Sequence, residues 1–137
     1  MLKIPFSAFY FLILTYIVFF ARRRRHSYHH ALNLVPLKVF FDSKENSDTS
    51  FINYYSNLVG NIILFLPYPI ILILVFKIHK FSTIIFLSLF LSFTIELLQY
   101  IFQVGVADID DIILNTIGAV IGYVCYSIFD KWLKVYL

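Results

Sequence analysis

The sequence predicts an all-α integral membrane bundle of about four transmembrane helices. Three observations carry that expectation. Of 137 residues, 61% are hydrophobic, 20% aromatic and only 14% charged. A soluble domain is about 45–50% apolar and about 25% charged, so this excess is more than one soluble core of this size can hide. Four stretches, 4–21, 58–76, 81–102 and 112–129, are apolar and almost free of charge. Each is close to the length that spans a bilayer as a helix at about 1.5 Å per residue. Finally, the polar residues inside the later stretches recur at helical spacing, as they do on helix faces turned towards other helices.

Residues 4–21 end at Arg22, Arg23, Arg24 and Arg25. Eighteen uncharged residues suit a first anchor helix. Lys3 and the apolar run also resemble a cleaved signal peptide, but no small-x-small cleavage site follows and the arginines read as an anchor flank. Residues 22–57 form the longest polar interval. His26, His29 and His30 match no closed zinc spacing, and residues 42–50 (DSKENSDTS) read as a loop. Residues 34–41 are apolar but too short to span, which suits an interfacial or re-entrant segment.

In the second helix, Asn57 and Asn61 lie one turn apart and share a face with Gly60 and Leu64. Pro67 and Pro69 predict a break near Phe65. Lys77, His79 and Lys80 mark a tight loop. In the third helix Ser88, Ser92, Glu96, Gln99 and Gln103 form one polar stripe at i, i+4, i+8, i+11 and i+15. A short acidic turn at 104–110 leads to the fourth helix. There Asp111, Asn115, Gly118 and Gly122 share a face suited to close helix packing. Trp132 and Tyr136, with Lys131 and Lys134, read as an interfacial anchor. No internal repeat or linker is visible, so residues 1–137 read as a single domain.

The functional reading centres on Asn33, Asn61, Glu96, Gln99, Asp108, Asp110, Asp111 and Asn115. A charged side chain at a bilayer centre costs roughly 2.5–3.5 kcal/mol, so intramembrane carboxylates face protein or water and mark function. Asp108 or Asp110 is expected to cap the fourth helix, with Asp111 in its first turn. An ion-pair network with residues 22–25 and a divalent-metal site are the competing readings for the three aspartates; Asp-x-Asp-Asp alone is a weak metal signal. For Glu96, a substrate contact or proton carrier stands against an interhelical hydrogen bond to Asn61 or Asn115. Glu96, Asp108, Asp111 and Asn115 are expected to converge near one membrane face, with Arg22, Arg23, Arg24, Arg25 or His30 as basic partner.

Nucleophilic catalysis has no support: there is no Gly-x-Ser-x-Gly elbow and no phosphate-binding glycine loop. No cofactor is expected. The net charge of +3 fits attraction to anionic lipid, and clustering of the basic residues at helix ends argues against nucleic acid. Cys125 is the single cysteine and forms no intrachain disulfide.

Over residues 30–123 the chain resembles the VanZ-like family, small integral membrane proteins named for a teicoplanin-resistance protein. The resemblance rests on Asn33-Leu34-Val35-Pro36-Leu37, on Gly60-Asn61 with Leu64-Phe65-Leu66-Pro67, on Ile95-Glu96-Leu97-Leu98-Gln99, and on Asp108-Ile109-Asp110-Asp111 followed by Asn115-Thr116-Ile117-Gly118-Ala119 and Gly122. Two positions depart from the family pattern: His30, and Gly105-Val106-Ala107, each where the family has arginine. The resemblance implies a multi-pass protein of the cell membrane with a cell-envelope role and, for some members, reduced glycopeptide susceptibility. Two function classes remain open. One is a non-enzymatic protein whose polar pocket binds a membrane lipid, an envelope precursor or a membrane protein partner. The other is an intramembrane enzyme or transporter using Glu96 and the aspartates for proton or metal chemistry.

Overall fold

The computed structural model describes residues 3–19, 32–36 and 48–136. Helix α1 covers Lys3–Phe19, strand β1 Leu32–Asn33, α2 Asp48–Phe65, α3 Pro67–Leu74, α4 Phe81–Phe102, β2 Ala107–Asp108 and α5 Ile109–Tyr136. The segments Tyr55–Leu74, Phe81–Phe102 and Ile109–Lys134 are long and apolar enough to cross a membrane. The first helix is apolar over Ile4–Val18 but shorter. Its 17 described residues cover about 26 Å, slightly under a hydrocarbon layer of about 30 Å.

The chain is arranged inside out relative to a soluble bundle. On α4 the buried positions include Ser88, Ser92, Glu96 and Gln99, whereas Phe86, Phe90 and Phe93 are exposed. On α5 Asp111 and Asn115 are buried, whereas Ile117, Ile121, Val124 and Ile128 are exposed. Such a pattern is stable only where the surroundings are themselves apolar. The apolar core lies under the middle of the bundle, where Phe65, Ile71 and Ile84 are fully enclosed and Tyr10, Leu14 and Val18 bring one face of α1 against them.

The second span breaks at Leu66, between α2 and α3, as Pro67 and Pro69 predict. Neither proline can donate an N–H to the preceding turn, and Pro67 is well suited to start α3. Beside the break, the Tyr10 hydroxyl donates to the Leu64 carbonyl at 3.0 Å. Gly118 and Gly122 let α5 lie directly on this span. A Cβ at Gly118 would strike the Ile62 carbonyl oxygen, and one at Gly122 the Leu66 carbonyl oxygen. Gly60 plays no such part: it is exposed with open space around it, so it does not share the packed face of Asn61.

Other expectations shift. Helix α2 starts at Asp48, inside the stretch read as a loop, because Asp, Thr and Ser open helices well and no Gly or Pro follows before Gly60. Helix α5 runs on to Tyr136, so Lys131, Trp132 and Lys134 are helical and exposed, with Lys134 bonded to Asp130 at 2.6 Å one turn away. Helix α4 has the expected bounds. It ends in a left-handed Gln103 at φ 53°, whose N–H reaches the Gln99 and Tyr100 carbonyls. Gln103 is exposed, so the polar stripe ends at Gln99.

The pairing of β1 with β2 is not visible in the residue pattern. The two strands run parallel, with Leu32 opposite Ala107 and Asn33 opposite Asp108. Two residues carry too little alternation to read as a strand. Their pairing seats Leu32 and Asn33 at the acidic turn. Leu34 and Val35 beyond them are exposed, and the remainder of the apolar 34–41 segment lies outside the described residues.

Candidate polar site at one end of the bundle

Five elements deliver polar side chains to the end of the bundle where α4 turns into α5. From β1 comes Asn33, from α2 Asn57 and Asn61, from α4 Ser92, Glu96 and Gln99, from β2 Asp108, and from α5 Asp110, Asp111 and Asn115. The 3.6-residue period of each helix brings its polar residues to one face, and the short 103–108 connection makes α4 and α5 antiparallel neighbours. All eight predicted site residues are at this end. Seven are buried and Asp108 is half-buried.

Asp108 is the junction. Its Oδ1 accepts the Asp110 backbone N–H at 2.9 Å, so it caps α5, a role expected for an Asp just outside a first helical turn. Both its carboxylate oxygens accept from Asn33 Nδ2 at 3.1 Å. Its backbone N–H donates to Glu96 Oε2 at 2.9 Å. Burial holds the Asp108 carboxyl above its ordinary value of 3.8; the hydrogen bonds from Asn33 and Asp110 pull it down, and the charges of Asp111 and Asp110 add to the rise.

Asp110 and Asp111 occupy the first turn of α5, where the helix dipole favours negative charge. Asp111 Oδ1 accepts from Asn57 Nδ2 at 2.9 Å and also from Asn61 Nδ2. One carboxylate oxygen thus ties α5 to two successive turns of α2. Asn57 belongs to the site although the sequence reading placed only Asn61 in the pocket; its one-turn spacing from Asn61 was the signal.

Glu96 makes a part-buried hydrogen bond whose donor is the backbone of Asp108. Asn61 Nδ2 donates to Asp111, and Asn115 Nδ2 donates to Ser92 Oγ at 2.8 Å, one helical turn further in. Sequence spacing gives no means to foresee a backbone donor for Glu96. Gln99 Nε2 donates to the Val18 carbonyl at 3.1 Å, fastening the end of α1 to the same place. Gln99 Oε1 and Asn115 Oδ1 are buried without a hydrogen-bond partner among the described residues. A buried acceptor left unmatched costs about 1–3 kcal/mol.

The expected basic partners, Arg22, Arg23, Arg24, Arg25 and His30, lie outside the described residues. Among the described residues, the one ion pair is Lys134 with Asp130, far from this end. Among them, too, no group of three or more His, Cys, Asp or Glu side chains is placed to hold a metal ion.

A profile of the VanZ/LLP1 family matches residues 6–130, which takes in every element that builds the site. The chain is 35% identical over 77 residues to Protein VanZ of Enterococcus faecium, an alignment covering 56% of this chain and 48% of that protein. It thus spans about half the length of that curated relative. No solved structure matches the chain.

Proposed function

The chain belongs to the VanZ/LLP1 family, and on that premise we propose that it is a multi-pass protein of the cell membrane that lowers susceptibility to glycopeptide antibiotics such as teicoplanin. It does so by binding an envelope lipid, an envelope precursor or a membrane protein partner at the polar end of the bundle. The observation that carries this reading is the convergence of Asn33, Asn57, Asn61, Glu96, Asp108, Asp111 and Asn115 into cross-element hydrogen bonds. Polar residues in an apolar chain are costly, and a bundle of this size could be held together by small-residue packing alone, as at Gly118 and Gly122.

The basic partner is part of the same proposal. Residue 18 bonds to Gln99 and residue 33 to Asp108, so both ends of the interval that carries the four arginines and His30 are fastened beside the acids. Exchanging charges between Asp110 or Asp111 and each of residues 22–25 tests it. Restored folding or function in one double reversal supports the pairing, and failure in all of them removes it.

A second reading, an intramembrane enzyme or transporter using Glu96 and the aspartates for proton or metal chemistry, is favoured by the raised Asp108 carboxyl. Charge-preserving Asp→Glu exchanges separate the two: chemistry is lost with the shift in geometry, and binding tolerates it. The experiment for the main reading is deletion and overexpression in the host, followed by a susceptibility profile against envelope antibiotics. A profile that does not move overturns it.

A further inference from the structure

We propose that the polar end of the bundle recognises its ligand through hydrogen-bond donors, the protonated amine of a lipid head group, with Gln99 Oε1 and Asn115 Oδ1 as the acceptors. This rests on the reading of that end as the working site. The side chains of Gln99 and Asn115 are 1% and 4% exposed, and these two oxygens have no partner among the described residues. Protein interiors leave few such groups unmatched. The other end of each amide is engaged: Gln99 Nε2 donates to the Val18 carbonyl and Asn115 Nδ2 to the Ser92 hydroxyl. Reversing the Gln99 amide would set an oxygen against the Val18 carbonyl oxygen.

The surroundings select the class of ligand. The side-chain amide nitrogens of Asn33, Asn57 and Asn61 are already donated to Asp108 and Asp111. Among the described residues, the buried side-chain atoms left without a hydrogen-bond partner are these two oxygens. A phosphate or carboxylate set against these two oxygens would meet acceptors, whereas an ammonium would meet partners. The two acceptors are staggered along the bundle. Gln99 lies in the last turn of α4 under the acidic turn, with Gly105 beside its amide, and Asn115 faces Ser92 about two turns further in. Gln99 is thus the outer contact and Asn115 the inner one.

Phosphatidylethanolamine and phosphatidylcholine share a phosphate, and only the first carries N–H donors. The test is native mass spectrometry of the full chain released from nanodiscs holding equal amounts of the two. Retention of phosphatidylethanolamine over phosphatidylcholine by at least about fivefold is expected for the unaltered chain, falling below about twofold in Gln99→Met and in Asn115→Leu. Those replacements are of similar size and carry no acceptor. Gln103→Leu, at an exposed position of the same helix end, should leave the ratio unchanged. Excess soluble ethanolamine separates recognition of the amine alone, which lowers lipid retention, from recognition of the whole lipid, which leaves it intact. Equal retention of both lipids by the unaltered chain overturns the proposal, as does a preference that survives in both variants. The ratio for the unaltered chain decides even where one variant does not fold. A susceptibility phenotype without a lipid preference removes this ligand class and leaves the proposed function standing.

Discussion

Asn33 Nδ2 lies 3.1 Å from both carboxylate oxygens of Asp108, across 75 residues of chain. That contact, with the Leu32–Ala107 and Asn33–Asp108 pairing beneath it, ties the interval after α1 to the N-terminus of α5. Asn33→Ala should therefore destabilise the bundle by about 1.5–3 kcal/mol, the usual range for a hydrogen bond to a charged group. Thermal unfolding in detergent measures it. A change within about 0.5 kcal/mol would show that the bond contributes nothing net.

The Asp108 carboxyl also sets a pH dependence. Its folded pKa is raised by burial above the ordinary 3.8, so the folded state holds the proton where the unfolded chain has lost it. Stability from this group is greatest below the ordinary carboxylate value and declines as pH rises towards the raised one, after which the loss is complete. Asp108→Asn removes that titration while keeping an acceptor for the Asp110 N–H. The stability difference between Asp108→Asn and the unaltered chain should therefore grow with pH across that window and level off above it. A difference independent of pH would contradict the assignment.

The glycines give a prediction of opposite signs. Gly118→Ala and Gly122→Ala drive a methyl into backbone carbonyl oxygens of Ile62 and Leu66, and overpacking of this kind costs about 1–3 kcal/mol. Gly60→Ala meets nothing within 4 Å and should stabilise α2 by about 0.5–1 kcal/mol through reduced backbone freedom. Melting temperatures of the three variants in one detergent check both signs at once.

Glu96 separates charge from hydrogen bonding. Glu96→Gln keeps an acceptor for the Asp108 N–H and should lose less stability than Glu96→Leu, which leaves that N–H without its partner at about 1–3 kcal/mol. Equal losses, read by the same melting assay, would show that the carboxylate charge and not its hydrogen bond holds the acidic turn.

Helical periodicity carried most of this molecule into view. The stripe Ser88–Ser92–Glu96–Gln99 and the face Asp111–Asn115–Gly118–Gly122 are both buried, because a 3.6-residue repeat of polar or small residues in an apolar helix has only the bundle interior to face. The break at Leu66 followed from two prolines. What periodicity cannot carry is the partner across the interface. Periodicity places Glu96 inside, with Asn61 or Asn115 as expected partners, but gives no sign of its bond from the Asp108 backbone, because backbone groups leave no mark in side-chain patterns. The β1–β2 pairing was hidden for the same reason: two residues have no period. Gly60 shows the reverse failure, since membership of a shared face says nothing about whether a neighbour approaches there.

On the function proposed above, the polar end of the bundle carries the envelope role. Asp111 tests it most directly, because its carboxylate holds both Asn57 and Asn61 and lies beside the proposed ligand contacts. The measurement is the teicoplanin concentration that stops growth of a susceptible strain expressing either the unaltered chain or Asp111→Asn, at equal membrane abundance. The unaltered chain should raise that concentration, and Asp111→Asn should return it to the level of cells without the protein. Full protection by Asp111→Asn at matched abundance would contradict the claim.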